Sequence, residues 1–305
     1  MKHPFATLAC TVLALSALPA FASDNSSITQ QGSLSTAKIT QGRFVVSFES
    51  TADILQGTGT NNYAAVEQTG YEAHAAVTQY GNNQIARVKQ DTDGSHTTIV
   101  QRGSDNVADV DQSGIHELHI NVEQDGLRNI TSVNQNNTIG ATAEVRQSGN
   151  DNVATINEPN SVDPNATIHQ HGSSNFATID LPANSSQATV KQDGVSNVGR
   201  ISEQGFSNSA KIDQAGNNNV ATIDVTGSFV DATIIQHGNH NTGRITSVGD
   251  GFSADQTNTA TIRQGGYDNL ATITQTSAGT AGYTATISQN FTTPGYGNVA
   301  SILQR

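Results

Sequence analysis

His116 and His119 form an H-x-x-H pair that could offer two imidazole nitrogens to a metal. A metal site needs three or four ligands, and no third stands nearby in the chain, so turn and solvent-face positions are the expected roles. His171 and His237 occupy equivalent positions of a repeat, but about 14 Å of stacked strands separates them, too far to share an ion. The Gly-Gly-x-Gly-x-Asp run of calcium-binding β-rolls is absent. Asp109, Asp111, Asp180, Asp213 and Asp224 could serve acid–base chemistry only if they converged with a base or metal. Their spacing spreads them instead over a solvent face, where acids guard against lateral sticking. No nucleophile elbow, P-loop or dinucleotide fingerprint stands in a strand–helix setting. Catalytic, cofactor-binding and metal-ligating residues are therefore expected to be absent.

The abundant chemistry is that of side-chain amides. An amide donates and accepts at once, so identical amides stacked on successive strands can bond to one another in a ladder. The expected ladder members are Gln41, Gln68, Gln79, Gln90, Gln101, Gln112, Gln124, Gln147, Gln170, Gln192, Gln214, Gln236, Gln264, Gln275, Gln289 and Gln304. With them go Asn106, Asn152, Asn175, Asn197, Asn208, Asn219, Asn241, Asn269 and Asn298. Five units hold another residue at the Gln position, namely Glu158, Leu181, Glu203, Val225 and Ser247, where a ladder must break.

These amides recur because the whole chain recurs. A motif of outline Asn-x-Ala-x-Ile/Val-x-Gln-x-Gly returns about every 11 residues. It is plain in Asn208-Ser209-Ala210-Lys211-Ile212-Asp213-Gln214-Ala215-Gly216 and again in Asn219-Val220-Ala221-Thr222-Ile223. Anchored on the Ala position, about 24 units run from Ser26 and Ala37 to Ala285 and Ala300 by this repeat reading. The spacing lengthens before Ala52 and after Gly243, with insertions at Gly249 to Phe252 and Phe291 to Gly297. An 11-residue period also marks a right-handed coiled coil. Here the small and apolar residues lie two apart, and Gly, Thr, Val and Asn are poor helix formers. Each unit is thus a strand of roughly seven residues and a turn of about four. Asn208, Ala210, Ile212 and Gln214 face inward; Ser209, Lys211 and Asp213 face out.

Two units make a rung of about 22 residues, and about 12 rungs stacked at about 4.8 Å make a rod about 55–60 Å long. The expected fold is an all-β, two-sheet solenoid of strand-turn-strand rungs. Outward charges two units apart then become neighbours: Glu67, Lys89 and Asp111 in one column, and Arg87–Asp109, Glu123–Arg146 and Lys191–Asp213 in others. Thr222 falls between Arg200 and Arg244.

Residues 1–22 read as a cleaved secretion signal, with Lys2, an apolar stretch from Leu8 to Leu18 and the small-x-small site Ala20-Phe21-Ala22. The repeat domain is then 23–305. Cleavage removes Cys10, the only cysteine, so no disulfide or thiolate site is expected. It also leaves 13 of the 14 basic residues against 26 acidic ones, a net charge of −13 that repels nucleic acid and anionic membranes. Hydrophobic residues are 34% of the chain and Trp is absent, too little for an ordinary globular core of this length. The regular period argues against disorder, which needs no register.

At Asn208 through Gln214, Gly216, Asn219, Ala221 and Ile223 the chain resembles the curlin family, secreted subunits of bacterial curli amyloid. The resemblance implies curlin-type repeats in an amyloid-forming solenoid and an extracellular fibre on the bacterial surface, a pilus or fimbrium. It implies roles in biofilm matrix and adhesion. It also implies as partners the chain itself, other curlin subunits, and the curli secretion and nucleation machinery at the outer membrane. The ending Ile302-Leu303-Gln304-Arg305 is similar to that of the minor, nucleating curlin, whereas no Gly-rich targeting segment like that of major curlins precedes the first repeat. A different reading is a capped, monomeric solenoid, either an adhesin or an ice-binding protein. The latter is suggested by the outward column Thr167, Thr189, Thr233, Thr261 and Thr286. Its adjoining row holds His169, Lys191 and Arg263, however, where ice-binding faces usually carry a second Thr row.

Overall fold

Alternation with period two along each unit produces strands, and the turn chemistry between units folds each strand back over the next. The computed structural model describes residues 11–12, 25–41, 50–114, 116–250, 257–276, 282–289 and 297–305. Within them every regular element is a strand. Successive strands belong alternately to a 14-stranded and a 12-stranded sheet, except that Phe176–Asp180 and the short Ala183–Asn184 both pair with Val198–Phe206, and all pairings are parallel. The polar-start sheet begins its strands at residues such as Thr142 and Asn165, and the apolar-start sheet at Val153 and Phe176. One strand from each makes a rung, so the main solenoid runs from Asn25–Gln30 and Thr36–Gln41 to Thr284–Gln289 and Val299–Gln304. Of the proposed signal, only Thr11–Val12 is described, and its backbone pairs with Thr36–Ala37. The rest of residues 1–22, and most of the two expected insertions, lie outside the described residues, whereas Gly249 and Asp250 continue the strand Thr242–Asp250 and pair with Gly227 and Ser228.

The register follows the repeat. Ser26, Ala52, Ala75, Thr97 and Ile120 stack on one another in the first column, and Ala37, Ala64, Ala86, Ala108 and Thr131 in the second. Inward Ala and Ile or Val side chains from the two sheets form one continuous core, from Ala37 and Ile39 to Ala285 and Ile287. Thr97 and Thr131 bury hydroxyls at the Ala position, and the ladder satisfies them. Thr97 Oγ1 donates to Gln112 Oε1 at 2.6 Å, and Thr131 Oγ1 donates to Gln147 Oε1 at 2.9 Å.

One corner depends on glycine. Each strand of the polar-start sheet from His74–Asn82 to Asn258–Tyr267 carries Gly two residues after its Gln, as at Gly149 and Gly172, both at φ near +110°. A Cβ on Gly149 would lie 2.0 Å from the Gly172 carbonyl oxygen. Gly149→Ala should therefore lower the denaturant midpoint of the folded rod, at a cost of about 2 kcal/mol or more. Ser148→Ala, on an exposed neighbour, should leave the midpoint unchanged.

Candidate functional site: stacked amides, buried acids and the ion columns

Parallel, in-register strands place like residues one rung apart, close enough for side-chain amides to bond directly. In the polar-start sheet the ladder is unbroken. From Gln30 and Gln56 through Gln79, Gln101, Gln124, Gln147, Gln170, Gln192, Gln214, Gln236 and Gln264 to Gln289, each Nε2 donates to the next Oε1 at 2.6–3.0 Å. The second hydrogen crosses the core: Gln147 Nε2 donates to the Ile130 carbonyl and Gln214 Nε2 to the Val198 carbonyl. One column thus ties rung to rung and sheet to sheet, and both amide hydrogens are satisfied where water is excluded.

The apolar-start sheet has a shorter ladder. Gln41, Gln68, Gln90 and Gln112 bond in series, Gln112 donates to Gln135, and Gln275 donates to Gln304 at the far end. The five substituted positions fill the gap on consecutive rungs, in the order Glu158, Leu181, Glu203, Val225 and Ser247. All five lie on one sheet. Gln30, Gln56 and Gln135 also belong to the ladders although the sequence reading omits them; the signal for each was its place two units from a neighbouring Gln.

Asparagine forms a third column at the corner leading into the apolar-start sheet. The Nδ2 groups of Asn152, Asn175, Asn197, Asn219 and Asn241 donate to the Oδ1 of the Asn one rung earlier at 3.0–3.1 Å. They also donate to a Gly carbonyl one rung later, as Asn197 does to Gly216. Asn269 and Asn298 extend the column, while Asn106 donates to the Gly126 carbonyl and accepts from the Asn129 backbone amide. Asn62 and Asn129 join it and were not among the expected members. Asn208 sits apart, at the opposite corner, where it donates to the Gly227 carbonyl and accepts from the Val230 amide.

Glu158 and Glu203 put carboxyls where their sheet otherwise places amides, and both are fully buried. Burial pushes the Glu158 carboxyl up to about 8, opposed by the Gln135 amide that donates to its Oε2 at 2.7 Å. Its Oε1 has no hydrogen-bond partner. Burial likewise raises Glu203 to about 8, offset only in part by the Ala210 backbone amide. Neither Glu203 oxygen makes a hydrogen bond of standard geometry. A buried charge with so little compensation is costly, so both acids carry their protons at neutral pH.

Outside, the charges alternate as the register requires. Arg87 and Lys89 lie 3.7 Å from Asp109 and Asp111, and Arg146 lies 4.0 Å from Glu123. Lys191 is the register neighbour of Asp213. Asp224 pairs with Arg244 at 3.1 Å, and Asp180 accepts from Asn157 Nδ2. The acids weighed for catalysis are thus dispersed along the rod. His116 forms isolated bridges with Asp93 and Ile139, and His119 opens the strand His119–Leu127. His119 stacks on His96 with ring centroids 5.2 Å apart, and His96 meets His74 at 4.6 Å. Burial holds His96 below its ordinary value, with a contact to the Gly94 carbonyl opposing and the flanking imidazoles assisting. His171 contacts Asp193 at 3.0 Å, and its column reaches His237 three rungs on. Among the described residues no group of three or more His, Cys, Asp or Glu is placed to hold a metal ion.

Compared with known proteins, residues 165–194 and 183–216 match the family model of the curlin associated repeat. No curated protein matches the chain. The matched span covers central rungs whose pattern of inward Ala, Ile or Val and Gln continues along the solenoid. Over residues 165–216 the chain is thus similar to the curlin associated repeat, and through it to the curlin family.

Proposed function

We propose that the mature chain is a secreted structural subunit that polymerises into extracellular functional amyloid, the curli-type fibre of a biofilm matrix. The observation that carries this reading is the state of the two end rungs. In central rungs the inward residues are buried, but at the ends Ser26, Ile28 and Gln30, and Ala300, Ile302 and Gln304, are only half-buried. A parallel sheet ending in open strands offers unpaired backbone groups to another strand of the same kind. A second copy meets that end with the same Ala, Ile and Gln spacing and continues both sheets. The role is structural rather than enzymatic. Removal of residues 1–22 on export, display on the bacterial surface, and engagement of other curlin subunits and the outer-membrane secretion and nucleation machinery belong to the same proposal. The amide columns supply register and affinity at each junction.

Purified residues 23–305 are expected to form thioflavin-positive fibres whose diffraction shows a meridional spacing near 4.7–4.8 Å. Fragments of those fibres should seed fresh monomer. A chain that stays monomeric for days at high concentration and ignores seeds would point instead to a capped, monomeric solenoid.

A further inference from the structure

The two sheets differ at one outward position. In the apolar-start sheet the first residue of the strand is apolar or aromatic on eight consecutive rungs, running from Tyr63 through Ile130 and Phe176 to Val220. After Thr242 the column resumes at Leu270 and Val299. Ile130 and Phe176 are each 44% exposed and Val220 38%, so stacking within the column leaves a ridge open to solvent. At the equivalent register position of the other sheet, just before the inward Ala position, every strand of the solenoid carries a polar residue, His96, Asn165 and Asp231 among them. Strand geometry and β-propensity are the same on both faces, so folding alone does not call for the ridge.

We propose that this ridge is a lateral interface, on which a second copy of the chain lies side by side with the first and with the same polarity. The ridge spans ten rung steps, about 48 Å. At about 10 Å wide it would bury on the order of 1,000 Å² over two copies, the size at which specific association begins. A partner that meets a straight row of side chains at this spacing must itself be a rod of the same period, and another copy is one. Charge selects the polarity. The next outward column on one flank carries Lys38, Arg87, Arg200 and Arg244. The corner on the other flank carries Asp105, Asp151 and Asp268. Asp109 and Arg128 are exceptions that pair with Arg87 and Asp151, and Arg244 pairs with Asp224, so Lys38 and Arg200 on one flank and Asp105 and Asp268 on the other carry most of the contrast. A two-fold axis along the rod lays each cationic flank over the partner's acidic one, whereas a two-fold axis across the rod lays like on like. The ridge is present on a single rod, so pairing does not require polymerisation.

The test is mass per unit length of fibres by scanning transmission electron microscopy, or sedimentation if the chain remains a soluble rod. The natural chain should show two chains per rod cross-section. The variant Ile130→Thr/Phe176→Thr/Val198→Thr/Val220→Thr should show one, with its sheet signal in circular dichroism retained. Thr142→Ser/Asn165→Ser, on the polar-start sheet, should still show two. Single rods in the natural chain would overturn the proposal, as would pairing that survives the fourfold change. Single rods that co-sediment with phosphatidylcholine vesicles would overturn it too, in favour of a lipid occupant. If the fourfold variant loses its sheet signal, Arg200→Glu/Arg244→Glu is read instead, and undiminished pairing there refutes the proposal. Failure to form fibres counts against polymerisation alone, because soluble rods still report the pairing.

Discussion

Acidifying the solenoid from pH 9 to pH 5 is expected to stabilise it. In an unfolded chain Glu158 and Glu203 ionise near 4.5; in the rod both keep their protons up to about 8. Between those values the folded state binds more protons than the unfolded one, so stability falls as pH rises. The advantage is fully present below about 4.5 and is lost as pH passes through about 8. Two buried acids together place several kcal/mol, to order of magnitude, in this window. His96 works weakly the other way: its lowered value removes some stability as pH falls through the ordinary imidazole range. Denaturant midpoints measured from pH 5 to 9 should therefore fall with rising pH. The double variant Glu158→Gln/Glu203→Gln should flatten that profile and raise the midpoint at pH 8. Its amides can donate across the core as Gln90 does to the His74 carbonyl, and Gln135 keeps an uncharged acceptor at every pH. A natural chain with a level profile, or a double variant with the same slope, would show that these carboxyls are not held protonated.

The second large effect separates inside from outside within one strand. Ala221→Asp should abolish folding of the surrounding rungs, whereas Thr222→Asp should be tolerated. Ala221 is fully buried between Gly199 and Gly243, where the facing sheet presents Val190, Ile234 and ladder Gln side chains whose amide hydrogens are already committed, so a carboxylate there goes uncompensated. An unpaired buried charge costs at least several kcal/mol. Thr222, one residue on, points outward between Arg200 and Arg244, where an acid gains two opposite charges. Circular dichroism and assembly kinetics of the two variants decide the matter. Similar losses in both would mean that the two faces of this strand are wrongly assigned.

Much of the architecture follows from local rules. Spacing by two at Ala210, Ile212 and Gln214 calls for a strand with those residues inward, and the structure buries all three. Adding the 11-residue period puts every second unit in the same sheet, so pairs such as Arg87–Asp109 and Lys89–Asp111 were legible before any coordinates. Parallel in-register stacking makes sequence distance and spatial distance interchangeable, which is why a repeat chain is so readable.

What the tertiary structure decided depends on both sheets at once. Alternate units face each other across the core, so the five departures from Gln fall in one uninterrupted run on one sheet, while the opposite ladder stays whole. Only the facing sheet removes water from Glu158 and Glu203 and turns two unremarkable acids into protonated core residues. The corner that receives Asn208 differs from the one that stacks Asn197 and Asn219, although all three precede the same motif. Strand register sets His119 opposite His96, one rung away, and the two rings stack. Pattern along the chain determines which side chains point inward. Column membership comes from residues 22 or more positions away and desolvation from strands of the facing sheet, and the closed rungs bring both into contact.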